Sequence, residues 1–117
     1  MAGVPAVKLS QGEIWLAKLS PTVGTEQAGT RPIVVVSGAQ FARMPIHQAI
    51  VVPVTSRDRN LPHHIKIADD GGLVRDSWAM TEGVRAISTE RLVHHISQAD
   101  DVTVGAILRY IREWFHP

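Results

Sequence analysis

The chain contains no cysteine. That excludes a disulfide framework, a thiol nucleophile and every thiolate zinc site, and it suits a reducing compartment. Long hydrophobic runs are missing too. The longest, residues 33–36 and 49–54, have strand length and fall far short of the roughly 20 residues of a membrane-spanning helix. The first nine residues carry only Lys8, and their apolar stretch is short and broken by Pro5, which argues against a signal peptide. A cytoplasmic protein with no membrane association is the expectation. There is no internal repeat and no low-complexity segment. Among enzyme signatures there is no HExxH, no Gly-rich phosphate loop, no GxSxG elbow and no Asp-rich calcium loop.

What is present is one domain's worth of chain: 117 residues, 44% hydrophobic and 20% charged, enough for a single apolar core. Residues 1–10 read as a flexible N-terminal segment and 11–117 as one domain. The formal net charge is only +1, but it is unevenly spread. Up to Asn60, the basic residues Lys8, Lys18, Arg31, Arg43, Arg57 and Arg59 face only Glu13, Glu26 and Asp58. Such an excess suits an anionic partner such as a phosphate backbone, and equally suits a solvated surface.

Strand signals dominate the chain. Residues 13–19 alternate, with Ile14 and Leu16 on one face. Residues 20–31 gather Pro, Gly, Ser and Thr into a loop too long for a plain hairpin, and unstructured loops of that length are commonly functional. Pro32-Ile-Val-Val-Val-Ser37 reads as a central strand buried on both faces. Pro45 argues against a helix in the segment up to Ile46. Residues 48–55 supply another strand, in which Pro53 belongs at a bulge, an edge or the end. Further short strands are expected over 63–67, 77–81, 84–87, with Gly83 as a kink, and 93–96, with one helical turn at 89–92. One helix is expected from Ser97, capped by its hydroxyl with Asp100 as reciprocal partner, and burying Val104, Ile107, Leu108, Ile111 and Phe115. Together these elements predict a mainly β fold with a C-terminal α-helix: a small, strongly curved SH3-like β-barrel.

Six histidines are many for this length. The pairs His63-His64 and His94-His95 are the obvious metal candidates, but neighbours on a strand point to opposite faces, so neither pair closes on one metal by itself. No metal or cofactor is expected. His64 is the better histidine for acid/base work, because imidazole titrates near neutrality.

A more specific signal lies in the long loop and the strands it joins. Gly12-Glu-Ile-Trp15 followed by Pro21-Thr-Val-Gly-Thr-Glu-Gln-Ala-Gly-Thr-Arg-Pro-Ile-Val-Val-Val-Ser37 resembles the opening of the MazF/PemK (Kid) family of toxin endoribonucleases. Val52-Pro-Val-Thr55 resembles that family's second motif, Leu61-Pro-His-His-Ile65 its next strand, and Asp76 to Arg85 with Glu90-Arg-Leu92 its third.

The resemblance implies a homodimer of SH3-like barrels that cuts single-stranded RNA at short sequences without a metal. The 2′-hydroxyl attacks the adjacent phosphate and leaves a 2′,3′-cyclic phosphate and a 5′-hydroxyl. Arg31 and Thr55 match the family's catalytic pair. A planar guanidinium suits two oxygens of a phosphorane as charge accumulates, and threonine adds a neutral donor. An arginine is a poor base at neutral pH. Glu26 and His64 are therefore the assisting acid/base candidates. The RNA-binding candidates are Thr25 and Gln27 in the loop, Ser56, Arg57 and Arg59 after Thr55, and Arg85. The resemblance also implies a cognate antitoxin whose disordered acidic tail covers the RNA groove. One departure stands out: where many members have Glu-Gln-Ile-Arg, this chain has Glu82-Gly-Val-Arg85, and loses an amide often placed for base contact. The alternative reading is a non-enzymatic toxin on the same barrel, like the CcdB family that binds DNA gyrase through an aromatic helix tip, here Trp114-Phe-His-Pro117.

Overall fold

The β-branched and alternating segments become strands close to where the sequence places them. The computed structural model describes residues 9–19 and 29–117. Its strands are β1 (Glu13–Lys18), β2 (Thr30–Val35), β3 (Gln48–Thr55), β4 (His64–Lys66), β5 (Trp78–Met80), β6 (Arg85–Ser88) and β7 (Leu92–Gln98). A one-turn helix, α1 (Ala39–Ala42), and a long one, α2 (Asp101–Trp114), complete it with 3₁₀ turns at Thr81–Gly83 and Thr89–Arg91. The seven strands form one antiparallel sheet in the order β4-β5-β3-β2-β1-β7, with β6 also on β3. The two ends of this path meet at one bridge, Asp69↔Ala99, with Asp70 N–H donating to the Gln98 carbonyl. The sheet therefore curls almost back on itself without a closed ladder.

Both faces are covered, as the continuous apolarity of β2 and β3 requires. Ile14, Val34, Val52, Val54 and Ala79 pack with Val104 and Ile107 of α2. Ala17, Leu19, Ile33, Val35, Ala49, Val51 and Ile87 form a second cluster from the alternate positions of the same strands. The curved sheet lets the two clusters share β1, β2 and β3.

Pro53 sits neither at an edge nor at the strand end but inside β3, opposite Ile33. Its position is explained by a change of partner. On one edge β3 pairs with β2; on the other, β6 takes residues 48–51 and β5 takes 54–55. Ile50 offers its carbonyl to Val36 on the β2 side, so alternation turns Pro53 toward the other edge, into the gap between the two ladders. No ladder bond is lost there. The turn at Thr81–Gly83 crosses this gap, and a Cβ on Gly83 would lie 2.7 Å from the Pro53 ring.

Three local expectations are corrected. The segment before Pro45 holds one helical turn, which ends at Ala42 and so never meets the proline. Ser97 is not the helix cap; it is buried in β7, which runs longer than expected, and Asp100 caps α2 by accepting the Thr103 N–H at 2.8 Å. Phe115 lies past the end of the helix and is 77% exposed, so the packed face stops at Ile111. No helix among the described residues is long and apolar enough to cross a membrane.

Candidate active site

Arg31 is the second residue of β2 and Thr55 the last of β3. The β2–β3 ladder ends at the pair Ile33 and Pro53, and continuing its register by two residues brings Arg31 level with Thr55. Directly opposed residues on antiparallel strands carry their side chains on the same face with Cβ atoms about 5 Å apart. The pairing therefore follows from the strands themselves. Arg31 Nη1 also donates to the Val54 carbonyl at 3.4 Å, which steers the guanidinium over the end of β3. Thr55 Oγ1 accepts the Arg57 N–H at 3.1 Å, so its own proton is left to donate elsewhere.

Both residues line an open cleft of about 340 Å³, together with Ser56, Val74, Arg75 and Ser77. The far wall is the loop between β4 and β5. Gly72 lets that loop approach β7 so closely that a Cβ would lie 2.2 Å from the Ile96 carbonyl oxygen. Asp69 Oδ2 accepts the Leu73 N–H at 3.0 Å, and Ser77 Oγ donates to the Arg75 carbonyl at 3.0 Å. Burial pushes the Asp69 carboxyl up, but the Ser97 hydroxyl and then the N–H groups of Leu73, Gly71 and Gly72 outweigh burial and hold its pKa below the ordinary aspartate value. Arg75 and Ser77 are cleft residues that sequence reasoning misses. The only signal for them is position, just after the turn 69–72 and across a gap of unknown width from Thr55.

The other expected site residues are placed as follows. Ser56 lines the cleft, while Arg57 and Arg59 are exposed in the loop that follows. Arg85 opposes Val51, four residues back along β3 from Thr55, or roughly 13 Å by strand rise. Thr25, Glu26 and Gln27 lie outside the described residues.

His64 does not line the cleft. Its side chain is 1% exposed, and Nε2 is 2.9 Å from Glu82 Oε2. His63 Nε2 lies 3.5 Å from the other Glu82 oxygen, so these three residues, not a histidine pair alone, form the group with metal-ligand spacing. Alternation does not separate the two histidines because β4 begins only at His64, which leaves His63 free of the pleat.

The chain as a whole has counterparts among known proteins. Residues 10–115 match the model of the PemK-like, MazF-like toxins of type II toxin-antitoxin systems. The chain belongs to this family. Endoribonuclease EndoA of Bacillus subtilis is 36% identical over 97 residues, covering 80% of this chain and 82% of that protein. The fold matches MazF of Deinococcus radiodurans with a TM-score of 0.82 at 19% identity, over 92% of this chain and 96% of that one. A MazE-MazF structure from the same organism matches at 0.74 and 19%, over 92% and 95%. A Cβ at position 83 would lie 2.7 Å from the Pro53 ring, so any side chain there would need that ring or the turn to shift.

Proposed function

We propose that this chain is a sequence-specific endoribonuclease toxin that cleaves single-stranded RNA in the Arg31/Thr55 cleft. The single observation that carries the reading is that Arg31, in β2, and Thr55, at the end of β3, line one open cleft in a chain of this family. The 2′-oxygen forms a bond to phosphorus as the bond to the 5′-oxygen breaks, giving a 2′,3′-cyclic phosphate and a 5′-hydroxyl. The nucleophile is internal to the substrate. The catalyst's task is therefore to place charge, which a guanidinium and a hydroxyl do without a metal.

Arg31 holds the non-bridging oxygens as they gain charge, and Thr55 donates to one of them. Among the described cleft residues, none is a carboxylate or an imidazole. Glu26, five residues before Arg31, is assigned the 2′-hydroxyl proton, while His64 is held by Glu82 elsewhere. Ser56, Arg57, Arg75 and the loop 20–28 bind the flanking nucleotides. Such single strands present their base edges to side chains, so polar residues in that loop suit sequence reading.

Residues 11–117 act as one domain that pairs with a second copy in the cytoplasm. A cognate antitoxin with a disordered acidic tail neutralises the toxin by lying along the cationic cleft; the MazE-MazF neighbour fits such pairing. The gyrase-directed alternative has less support. The family match is to PemK and MazF, and the Trp114 indole N–H is spent on Thr81 through a 3.2 Å hydrogen bond. The test is cleavage of a long, weakly structured RNA in EDTA, with mapping of the 5′ ends and Arg31→Ala as control. Cuts at one short recurring sequence with cyclic-phosphate ends, lost in the variant, support the reading. No cleavage by a folded wild-type protein at any site overturns it.

A further inference from the structure

The polar group formed by His63, His64 and Glu82 takes no part in the proposed reaction, yet it is built with unusual care. The two imidazoles stand 4.8 Å apart at 80°. Glu82, arriving from the turn after β5, reaches both, with oxygens 3.5 Å from His63 Nε2 and 2.9 Å from His64 Nε2. One donor atom from each residue falls within 4.8 Å of the others. Thr81 Oγ1 fixes the frame: it donates to the His63 carbonyl at 2.8 Å and accepts the Trp114 indole N–H at 3.2 Å. The His63 ring in turn meets the Trp114 ring edge-on at 5.4 Å. The ligand-bearing segments are thus locked to each other and to the end of α2.

We propose that His63, His64 and Glu82 bind one divalent transition-metal ion of the zinc class, with water completing the coordination. Two imidazoles and one carboxylate suit zinc, nickel or copper, whereas magnesium and calcium prefer all-oxygen sets. Zinc bonds of about 2.05 Å set tetrahedral ligand atoms roughly 3.3 Å apart, between the two separations present. Small side-chain adjustments complete the fit.

Burial is graded, from 1% exposure at His64 through 24% at His63 to 47% at Glu82. An ion enters from the Glu82 side, where water remains. None of the three ligands lines the Arg31 cleft, so the ion is a clamp joining β4, the turn at Thr81–Gly83 and α2, not a participant in cleavage.

The test uses the full chain, stripped with chelator and titrated with zinc sulfate by calorimetry and thermal melting. One zinc per chain is expected, with a rise in Tm that magnesium sulfate at the same concentration does not produce. His63→Ala and Glu82→Gln should each weaken zinc binding by about tenfold or more. Because Glu82 is half exposed, Glu82→Gln remains a folded control if His63→Ala does not. Absence of zinc binding, equal binding of magnesium, or unchanged zinc affinity in Glu82→Gln each overturns the proposal, the last by placing the ion elsewhere, such as His94 and His95. The readout involves no RNA, so its outcome is separate from that of the cleavage assay.

Discussion

Two polar centres of this small sheet are built in opposite ways. The Arg31/Thr55 cleft is open and stands at strand ends, with the guanidinium reaching over the Val54 carbonyl and the Thr55 hydroxyl accepting from Arg57 N–H. The His63/His64/Glu82 centre is closed down, ring against ring, and tied to α2 through Thr81 and Trp114. Residue type alone favours the second as the catalytic site, because it holds histidines and a carboxylate. Geometry favours the first. A group that is to stabilise charge on a substrate must stand where the substrate can reach it, whereas a group packed ring against ring serves to hold the fold together.

The sharpest break in this comparison comes from Arg31→Ala. It should reduce RNA cleavage by on the order of 10³-fold, the upper range for losing a transition-state donor, with the melting temperature nearly unchanged. Single-turnover cleavage and a melt on the same preparation check it. A large loss of stability would move Arg31 into the structural class. Thr55→Val keeps the β-branched shape at the end of β3 and removes only the hydroxyl. About a 10²-fold loss is expected, again in rate and not in folding. A variant of undiminished rate would leave Arg31 acting without it.

Gly83→Gln restores the amide that many family members carry, and here it should destabilise by about 1–3 kcal/mol, because the new side chain meets the Pro53 ring. Pro53→Ala in the same chain should recover much of that loss. A double-mutant cycle by urea unfolding reads the coupling, and additive effects would refute the pairing. On the other side of the comparison, His64→Gln should cost roughly 1–3 kcal/mol, because the buried ring and its hydrogen bond to the half-exposed Glu82 are lost. Cleavage per folded molecule should stay within about twofold, and a loss comparable to that of Arg31→Ala would return His64 to the chemistry.

Much of this architecture is legible in the amino-acid sequence. The β-branched runs at 32–36 and 48–55 announce central strands, and the motif that ends in Arg31, with Thr55, announces the cleft. What stays hidden depends on partners distant in sequence. Pro53 looks like a strand end because the change from β6 to β5 along β3 cannot be read from β3 itself. Ser97 offers a plausible cap, but bridging at Asp69↔Ala99 extends β7 and hands the capping role to Asp100. Arg75 and Ser77 give no chemical signal, since the loop that carries them is pulled across by Gly72 and Asp69. For His63 and His64, strand alternation misleads, because it applies only inside a strand.

The smallest effect expected is one of pH, at the wall of the cleft. The Asp69 carboxyl is held below its ordinary pKa in the folded chain, against the raising effect of burial, by the Ser97 hydroxyl first and then by the N–H groups of residues 71–73. A depressed carboxylate contributes stability above its unfolded pKa of about 3.9 and loses it as pH falls through the lower folded value. Near neutrality the wall is therefore fully held, and below about pH 4 it should loosen as the proton competes with the Leu73 N–H for the carboxylate. Hydrogen exchange of the Leu73 amide, corrected for its intrinsic pH dependence, reads this directly. Asp69→Asn removes the charge and should abolish the pH dependence, giving a wall equally loose at pH 4 and pH 7. If protection at Leu73 instead follows global unfolding at every pH, the loop is held by the packing of Gly72 on β7, and the carboxylate is incidental to the shape of the cleft.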